Sequence, residues 1–95
     1  MKPTRATEAE QPEIYATVRR EMPAIHRAAQ KMAKHLRGLS DVSQKQAITE
    51  LTAAWIMAIY PDSLDLAISL SDAMRDQTDI DLQQAFETRR RKLSN

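Results

Sequence analysis

The feature that most constrains this chain is a row of apolar residues spaced alternately three and four positions apart. Its members are Tyr15, Val18, Met22, Ile25, Ala29, Met32, Leu36 and Leu39. This spacing places side chains on one face of an α-helix, as in the heptad pattern of helices that pack against other helices. Because no polar residue interrupts the row, we expect it to contact another helix, in this chain or in a second copy.

The composition favours helix over sheet along the whole chain. One glycine and four prolines in 95 residues leave few turn formers, and Ala, Gln, Arg, Leu and Met are good helix formers. A chain of this length forms one domain at most. We therefore predict an all-α helical bundle. It has a kinked long N-terminal helix and three shorter antiparallel helices, and dimerisation completes it.

Two prolines and the single glycine define the first helix. Pro12 suits a first turn because its missing N–H leaves no donor unsatisfied there. Pro23 lies inside the apolar row, where it removes one backbone hydrogen bond, so we predict two pieces, 12–22 and 23–37, joined by a kink or short break. Gly38 is predicted to end the helix in the left-handed conformation.

The second helix is predicted to be the most buried. Ser43 and Gln46 match a capping box at its start, and Pro61 forces its end. Its apolar residues are Ile48, Leu51, Trp55 and Ile59, with Ala47, Ala54, Met57 and Ala58 beside them, and no charge occurs from Ala53 to Tyr60. We interpret Trp55 as a core residue.

Two further helices are predicted after Pro61. Asp62 or Ser63 caps the third, with Leu66, Leu70 and Met74 on its apolar side, and Thr78 or Asp79 caps the fourth, which carries Leu82, Ala85, Phe86 and Leu93. We predict a flexible leader over residues 1–10, a single helical domain over 11–88 and a basic C-terminal tail over 89–95.

Charge is distributed unevenly although the net charge is only +1. Residues 1–37 carry a balance of +4, residues 38–87 a balance of −7, and Arg89–Lys92 add +4. Such asymmetry indicates either a partner of opposite charge or segments that neutralise one another in the fold.

The sequence contains no pattern typical of catalysis, of a metal site or of a cofactor site, so we predict a non-enzymatic protein without cofactors. His26 and His35 are nine residues apart, two and a half helical turns, and point to opposite sides. The carboxylates Asp72, Asp76, Asp79 and Asp81 lack the glycine and distal glutamate of a calcium loop. We interpret them as capping and solvent-facing residues.

The expected location is the cytoplasm. There is no cysteine, which fits a reducing compartment. We find no signal peptide, and the longest apolar run, Ala53 to Tyr60, is too short to cross a bilayer. No membrane partner is expected.

The length of the first helix indicates where a partner binds. At 1.5 Å per residue the apolar row of roughly 25 residues is about 37 Å long, whereas the second helix of roughly 17 residues is about 25 Å long. Ile25 to Leu36 is interpreted as core against the second helix, and Tyr15, Val18 and Met22 as a partner or dimer interface. We predict a homodimeric adaptor or inhibitor that binds another protein through a helical face.

The alternative is a nucleic-acid-binding helical module. Arg20, Arg27, Lys31 and Lys34 follow helical spacing opposite the apolar row, and the tail adds Arg89, Arg90, Arg91 and Lys92. These residues are the candidate phosphate contacts. The ordinary interpretation is a solvated outer face, and no helix-turn-helix pattern accompanies them.

Overall fold

The computed structural model describes residues 7–94, which form three α-helices. These are α1 (Pro12–His35), α2 (Asp41–Ile59) and α3 (Leu64–Ser94). No strand occurs in the described part of the chain, so the all-α class is confirmed. The predicted count of four helices is wrong, and the packing of the helices into a bundle stays a prediction.

The chain divides into two compact units, with the boundary inside α2 between Ala54 and Trp55. The described residues of one unit, 7–54, hold α1 and the first part of α2. Those of the other unit, 55–94, hold the end of α2 and all of α3.

A turn over residues 7–10 precedes α1. The Thr7 hydroxyl donates to Glu10 Oε1 at 2.9 Å, and the Glu10 amide donates to the Thr7 carbonyl at 3.1 Å. Glu8 forms an ion pair with Arg19. The helix then begins at Pro12, as predicted. The rest of the predicted leader, residues 1–6, lies outside the described residues.

Helix α1 continues through Pro23 as one helix of 24 residues. The short break proposed between pieces 12–22 and 23–37 is therefore absent, whereas a kink at Pro23 stays a prediction. Strong helix formers surround the proline (Arg19, Arg20, Ala24). The proline has no backbone N–H, but the hydrogen bonds on either side of it keep the backbone helical. The apolar row accordingly stays on one face of a single helix.

Gly38 ends α1 as predicted. Its φ of +91° is the only positive φ among the described residues, and this is the region that glycine occupies at little cost. The last helical residue is His35, two residues earlier than predicted. The turn closes when the Leu39 amide donates to the Leu36 carbonyl at 3.2 Å.

Ser40, rather than Ser43, caps α2. The Ser43 amide donates to Ser40 Oγ at 3.3 Å, and the Gln44 amide donates to the Ser40 carbonyl at 2.8 Å. Gln46 instead reaches Glu50 Oε1 at 3.5 Å, so the predicted Ser43–Gln46 capping box is wrong. The physical reason is that α2 begins at Asp41, which leaves Ser43 in its first turn.

The unit of residues 55–94 begins with the last turn of α2, which Pro61 ends as predicted. Ile56 is 6% exposed and is the buried apolar residue of the described chain. Helix α3 is then capped by Ser63, whose Oγ accepts from the Leu66 amide at 3.2 Å. Asp65 lies in its first turn, where a carboxylate favours the helix dipole.

Helix α3 runs for 31 residues without interruption, so the predicted start of a fourth helix at Thr78 or Asp79 is wrong. Residues 64–94 contain neither glycine nor proline. The Thr78 hydroxyl donates back to the Met74 carbonyl at 2.9 Å, and Gln77 Nε2 donates to Asp81 Oδ1 at 2.7 Å. Both bonds fit a helix interior, where residues four apart are neighbours.

The segment proposed as a basic tail is helical from Arg89 to Ser94. Arg90 and Arg91 approach Glu87 Oε1 at 3.4 and 3.7 Å. Positive charge in a last turn is favourable beside the carbonyl end of the helix dipole. The boundary drawn between residues 88 and 89 therefore crosses continuous helix.

Candidate protein-binding surfaces

The α1 apolar face is the first candidate surface. We define it as Ile14, Tyr15, Val18, Met22, Ile25, Ala29, Met32 and Leu36, which lie within about 100° around a helix of 3.6 residues per turn. No residue of α1 is buried. Val18 is 41% exposed and Met32 is 51% exposed. The face is thus a continuous apolar strip with substantial area in contact with solvent.

The structure places the three predicted interface residues together on this face. Val18 is exposed, and Tyr15 and Met22 are half-buried. The exposed apolar surface also includes Ile14, Ile25 and Met32, which the prediction did not include in the interface. Heptad spacing finds Ile25 and Met32, although not Ile14, but it cannot separate core positions from interface positions, because both need the same helical periodicity.

The interpretation of Ile25 to Leu36 as ordinary core is wrong in this structure. Ile25 and Met32 are exposed and Leu36 is half-buried. The argument from helix lengths assumed that α2 covers the C-terminal half of the row, and exposure at Ile25 and Met32 shows that much of it stays open. The candidate surface therefore extends well beyond Met22.

The α1 basic ridge is a second candidate surface. It consists of Arg20, Arg27, Lys31 and Lys34, all exposed. Arg27 is nine residues from Val18, two and a half turns, so the ridge lies opposite the apolar face. Within residues 7–94 none of the four forms an ion pair. The helix thus presents one apolar side and one cationic side.

The residues considered for metal binding lie on α1 and α3. His26 and His35 are both exposed on α1, and Asp72, Asp76, Asp79 and Asp81 all lie within α3. No group of three or more His, Cys, Asp or Glu in the described chain could hold a metal ion. Asp72 pairs with Arg75 at 3.0 Å, and Asp81 accepts from Gln77, so two of the carboxylates have local structural partners.

Helix α2 presents most of its large apolar side chains to solvent, and Ile56 is its buried residue. Trp55 is 47% exposed, and Ile48, Leu51 and Ile59 are exposed to a similar degree. The interpretation of Trp55 as core is therefore wrong. The buried residue, Ile56, follows Trp55 by one position and so lies about 100° round the helix. Periodicity alone did not identify it, because the end of α2 is apolar on nearly every side.

The C-terminal part of α3 is a third candidate surface, and every residue from Asp81 to Ser94 is exposed. Phe86 is 66% exposed, and Leu82 and Leu93 are exposed on the same side of the helix. The candidate nucleic-acid contacts Arg89, Arg90, Arg91 and Lys92 occupy the same turns. Apolar and cationic groups are therefore mixed here, unlike on α1.

Concave surface in the described residues is open to solvent. One open depression on α3 is lined by Ile80, Gln83, Gln84, Glu87, Thr88 and Arg91. Among residues 7–94 no helix has the length and apolar content that crossing a bilayer requires.

Comparison with protein-family models, with curated proteins and with solved structures finds no match to this chain.

Proposed function

We propose that this chain is a small non-enzymatic regulator that binds another protein through the α1 apolar face and acts as a homodimer in the cytoplasm. The observation that carries the proposal is the exposure of heptad-spaced apolar residues along α1, among them Ile14, Val18, Ile25 and Met32. Apolar faces of this kind are typical of helices that lie in a groove or pack against another helix.

The energetics support an interface. Burying apolar surface contributes about 25 cal/mol per Å², so a Val, Ile or Met side chain contributes roughly 1.5–3 kcal/mol when fully buried. Several such residues along one face of α1 suffice for a specific complex if they meet a complementary surface. In contrast, Ile56 is the only buried apolar side chain among residues 7–94, which favours a chain that gains stability by association.

The mode of action follows from the surface rather than from reactive groups. A protein that covers a partner's helix or groove with its own apolar face acts as an adaptor or an inhibitor, because the covered surface is withheld from competitors. The basic ridge on the other side of α1 then stays available to solvent and contributes to solubility.

A capture experiment tests this proposal. The full chain and two variants, Val18→Asp and Arg20→Asp, are used as bait in extract of the native host, and captured proteins are quantified by mass spectrometry. Both variants add a carboxylate to exposed positions of α1, on the apolar face and the basic ridge respectively. We expect Val18→Asp to lose a specific partner by at least about 30-fold, since a central interface residue contributes 2 kcal/mol or more.

The Arg20→Asp variant is the matched control and should retain that partner. Circular dichroism is used to check that both variants keep the helical content of the wild-type chain. Equal loss of the partner in both variants, or retention in both, contradicts binding through the α1 apolar face.

A second candidate function, nucleic-acid binding, is favoured by one observation. The four cations of the α1 basic ridge are exposed and have no ion-pair partner in residues 7–94. Mobility-shift titrations with generic DNA and RNA at about 50 and 200 mM salt test whether the ridge binds nucleic acid. A ridge that tracks phosphates loses affinity steeply between these salt concentrations, and Arg27→Glu with Lys31→Glu should abolish binding. Absence of any shift at the lower salt excludes this function.

A further inference from the structure

We propose that the C-terminal half of α3 pairs with the same segment of a second copy, in antiparallel orientation, about a twofold axis at the level of Gln84. This inference rests on the homodimer of the proposed function and assigns its contact to α3. The α1 apolar face is thereby left to the partner protein.

One side of α3 carries the pattern that such pairing requires. Seven-residue steps place Ile68, Arg75, Leu82 and Arg89 in one row, and Asp72, Asp79, Phe86 and Leu93 in the row beside it. These are the two rows that meet a partner in a two-stranded helical pair. In the structure Leu82, Phe86 and Leu93 are exposed, as are Asp79 and Arg89.

The charges on this side of α3 indicate that it binds a second copy of the chain. Asp79 and Arg89 are ten residues apart, roughly 15 Å along one helix, so they cannot pair within α3. Within residues 7–94 neither of them forms an ion pair. A helix with an acidic position and a basic position at equal distances from its apolar centre is complementary to itself when the second helix is reversed.

The antiparallel arrangement brings these groups into register. With the axis at Gln84, Leu82 lies opposite Phe86 of the second copy, and Phe86 lies opposite its Leu82. Five residues from the axis on either side, Asp79 lies opposite Arg89 of the second copy. Two apolar layers are therefore flanked on each side by a layer that pairs one Asp with one Arg. Charge pairs of this kind set the orientation of helices in helical pairs.

The outermost residue pairs and the charge clashes of a parallel pair also favour the antiparallel arrangement. Leu93 lies opposite Arg75 of the second copy, whose aliphatic stem can cover an apolar side chain while its guanidinium stays paired with Asp72 at the edge of the contact. A parallel pair would instead put Arg89 beside Arg89 and Asp79 beside Asp79, and like charges in contact are destabilising. The whole overlap, from Arg75 to Leu93, is roughly 27 Å long.

Sedimentation equilibrium of the full chain tests the proposal. We expect the wild-type chain to be a dimer at about 100 μM, and Phe86→Glu to weaken dimerisation by more than about 100-fold, because a twofold axis places the substitution in the contact twice. Arg89→Asp alone should weaken it by at least about tenfold, a loss of about 1.4 kcal/mol. Adding Asp79→Arg to Arg89→Asp should restore the wild-type constant to within about threefold.

The charge exchange separates a true pairing from a folding defect, since the double variant differs more from the wild type yet recovers. A monomeric wild-type chain at 100 μM, or a double variant no better than Arg89→Asp, overturns the proposal. If Val18→Asp dissociates the dimer and Phe86→Glu does not, the homodimer uses the α1 apolar face. The α3 assignment then fails while the proposed function stands.

Discussion

At Gly38 the backbone adopts a φ of +91°, and a Cβ built there meets no atom within 4 Å. Space is therefore not the reason for glycine at this position. The reason is backbone conformation, because the left-handed region costs an L-residue roughly 1–2 kcal/mol.

We expect Gly38→Ala to lower the free energy of unfolding by about 1 kcal/mol, and Gly38→Asn to lower it by less, since asparagine tolerates the left-handed region better. Urea unfolding followed by circular dichroism measures both variants. An alanine variant as stable as the wild type would mean that the turn after α1 does not need a positive φ.

Ser40 offers a second test at the residue scale. Its Oγ accepts from the Ser43 amide at 3.3 Å, so Ser40→Ala should cost about 1 kcal/mol of stability through loss of the cap. Ser43→Ala is the matched control and should cost clearly less, because Ser43 Oγ accepts only a hydroxyl bond from Ser40. If Ser43→Ala lost more stability than Ser40→Ala in thermal unfolding, the result would support the Ser43–Gln46 capping box instead.

The extent of sequence-based prediction is clearest at the scale of the elements. The start of α1 at Pro12, its end before Gly38 and the end of α2 before Pro61 follow from residues that permit few conformations. The interruption of α3 at Thr78–Asp79 was predicted wrongly, because Thr and Asp are good caps and also tolerable interior residues. Their side chains therefore do not indicate whether a helix begins or continues unless a glycine or proline lies nearby.

The continuity of α3 can be tested at Asp79. If a new helix began there, Asp79→Pro would be tolerated, since proline is favoured in a first turn. In a continuous helix the same change removes a hydrogen bond and costs about 3 kcal/mol or more. We expect Asp79→Pro to reduce helical ellipticity and the unfolding midpoint strongly.

Asp79→Ala serves as the control for that experiment, since it removes the same carboxylate while keeping the backbone donor. It should retain the helical content of the wild-type chain. Equal ellipticity and equal stability for Asp79→Pro and Asp79→Ala would contradict a helix that runs through this position.

At the scale of the whole molecule, the predicted interface and the exposed α1 apolar face overlap only in part. Tyr15, Val18 and Met22 were predicted as an interface because the difference in helix lengths left them without a neighbour. Ile14, Ile25 and Met32 were missed because burial depends on which helices meet, and that information is absent from the periodicity of a single helix. Leu82, Phe86 and Leu93 were predicted as apolar residues of the last helix but not as an interface, because Arg75, Asp79 and Arg89 interrupt their apolar row.

A chain that gains stability by association has a stability that depends on its concentration. We expect the thermal midpoint to rise by several degrees between about 2 and 200 μM chain, because binding of a second copy stabilises only the folded state. The Phe86→Glu variant should lose most of this dependence. A midpoint that is constant over this range in the wild-type chain contradicts a homodimer.

Photo-cross-linking in the native host tests the central claim, that the α1 apolar face binds a protein. A photoreactive residue is placed at Val18 in one version of the full chain and at Arg27, on the basic ridge, in another. We predict that the Val18 probe forms a specific adduct with another protein and that the Arg27 probe does not. Adducts of equal yield and identity from both positions, or none from Val18, would contradict the account.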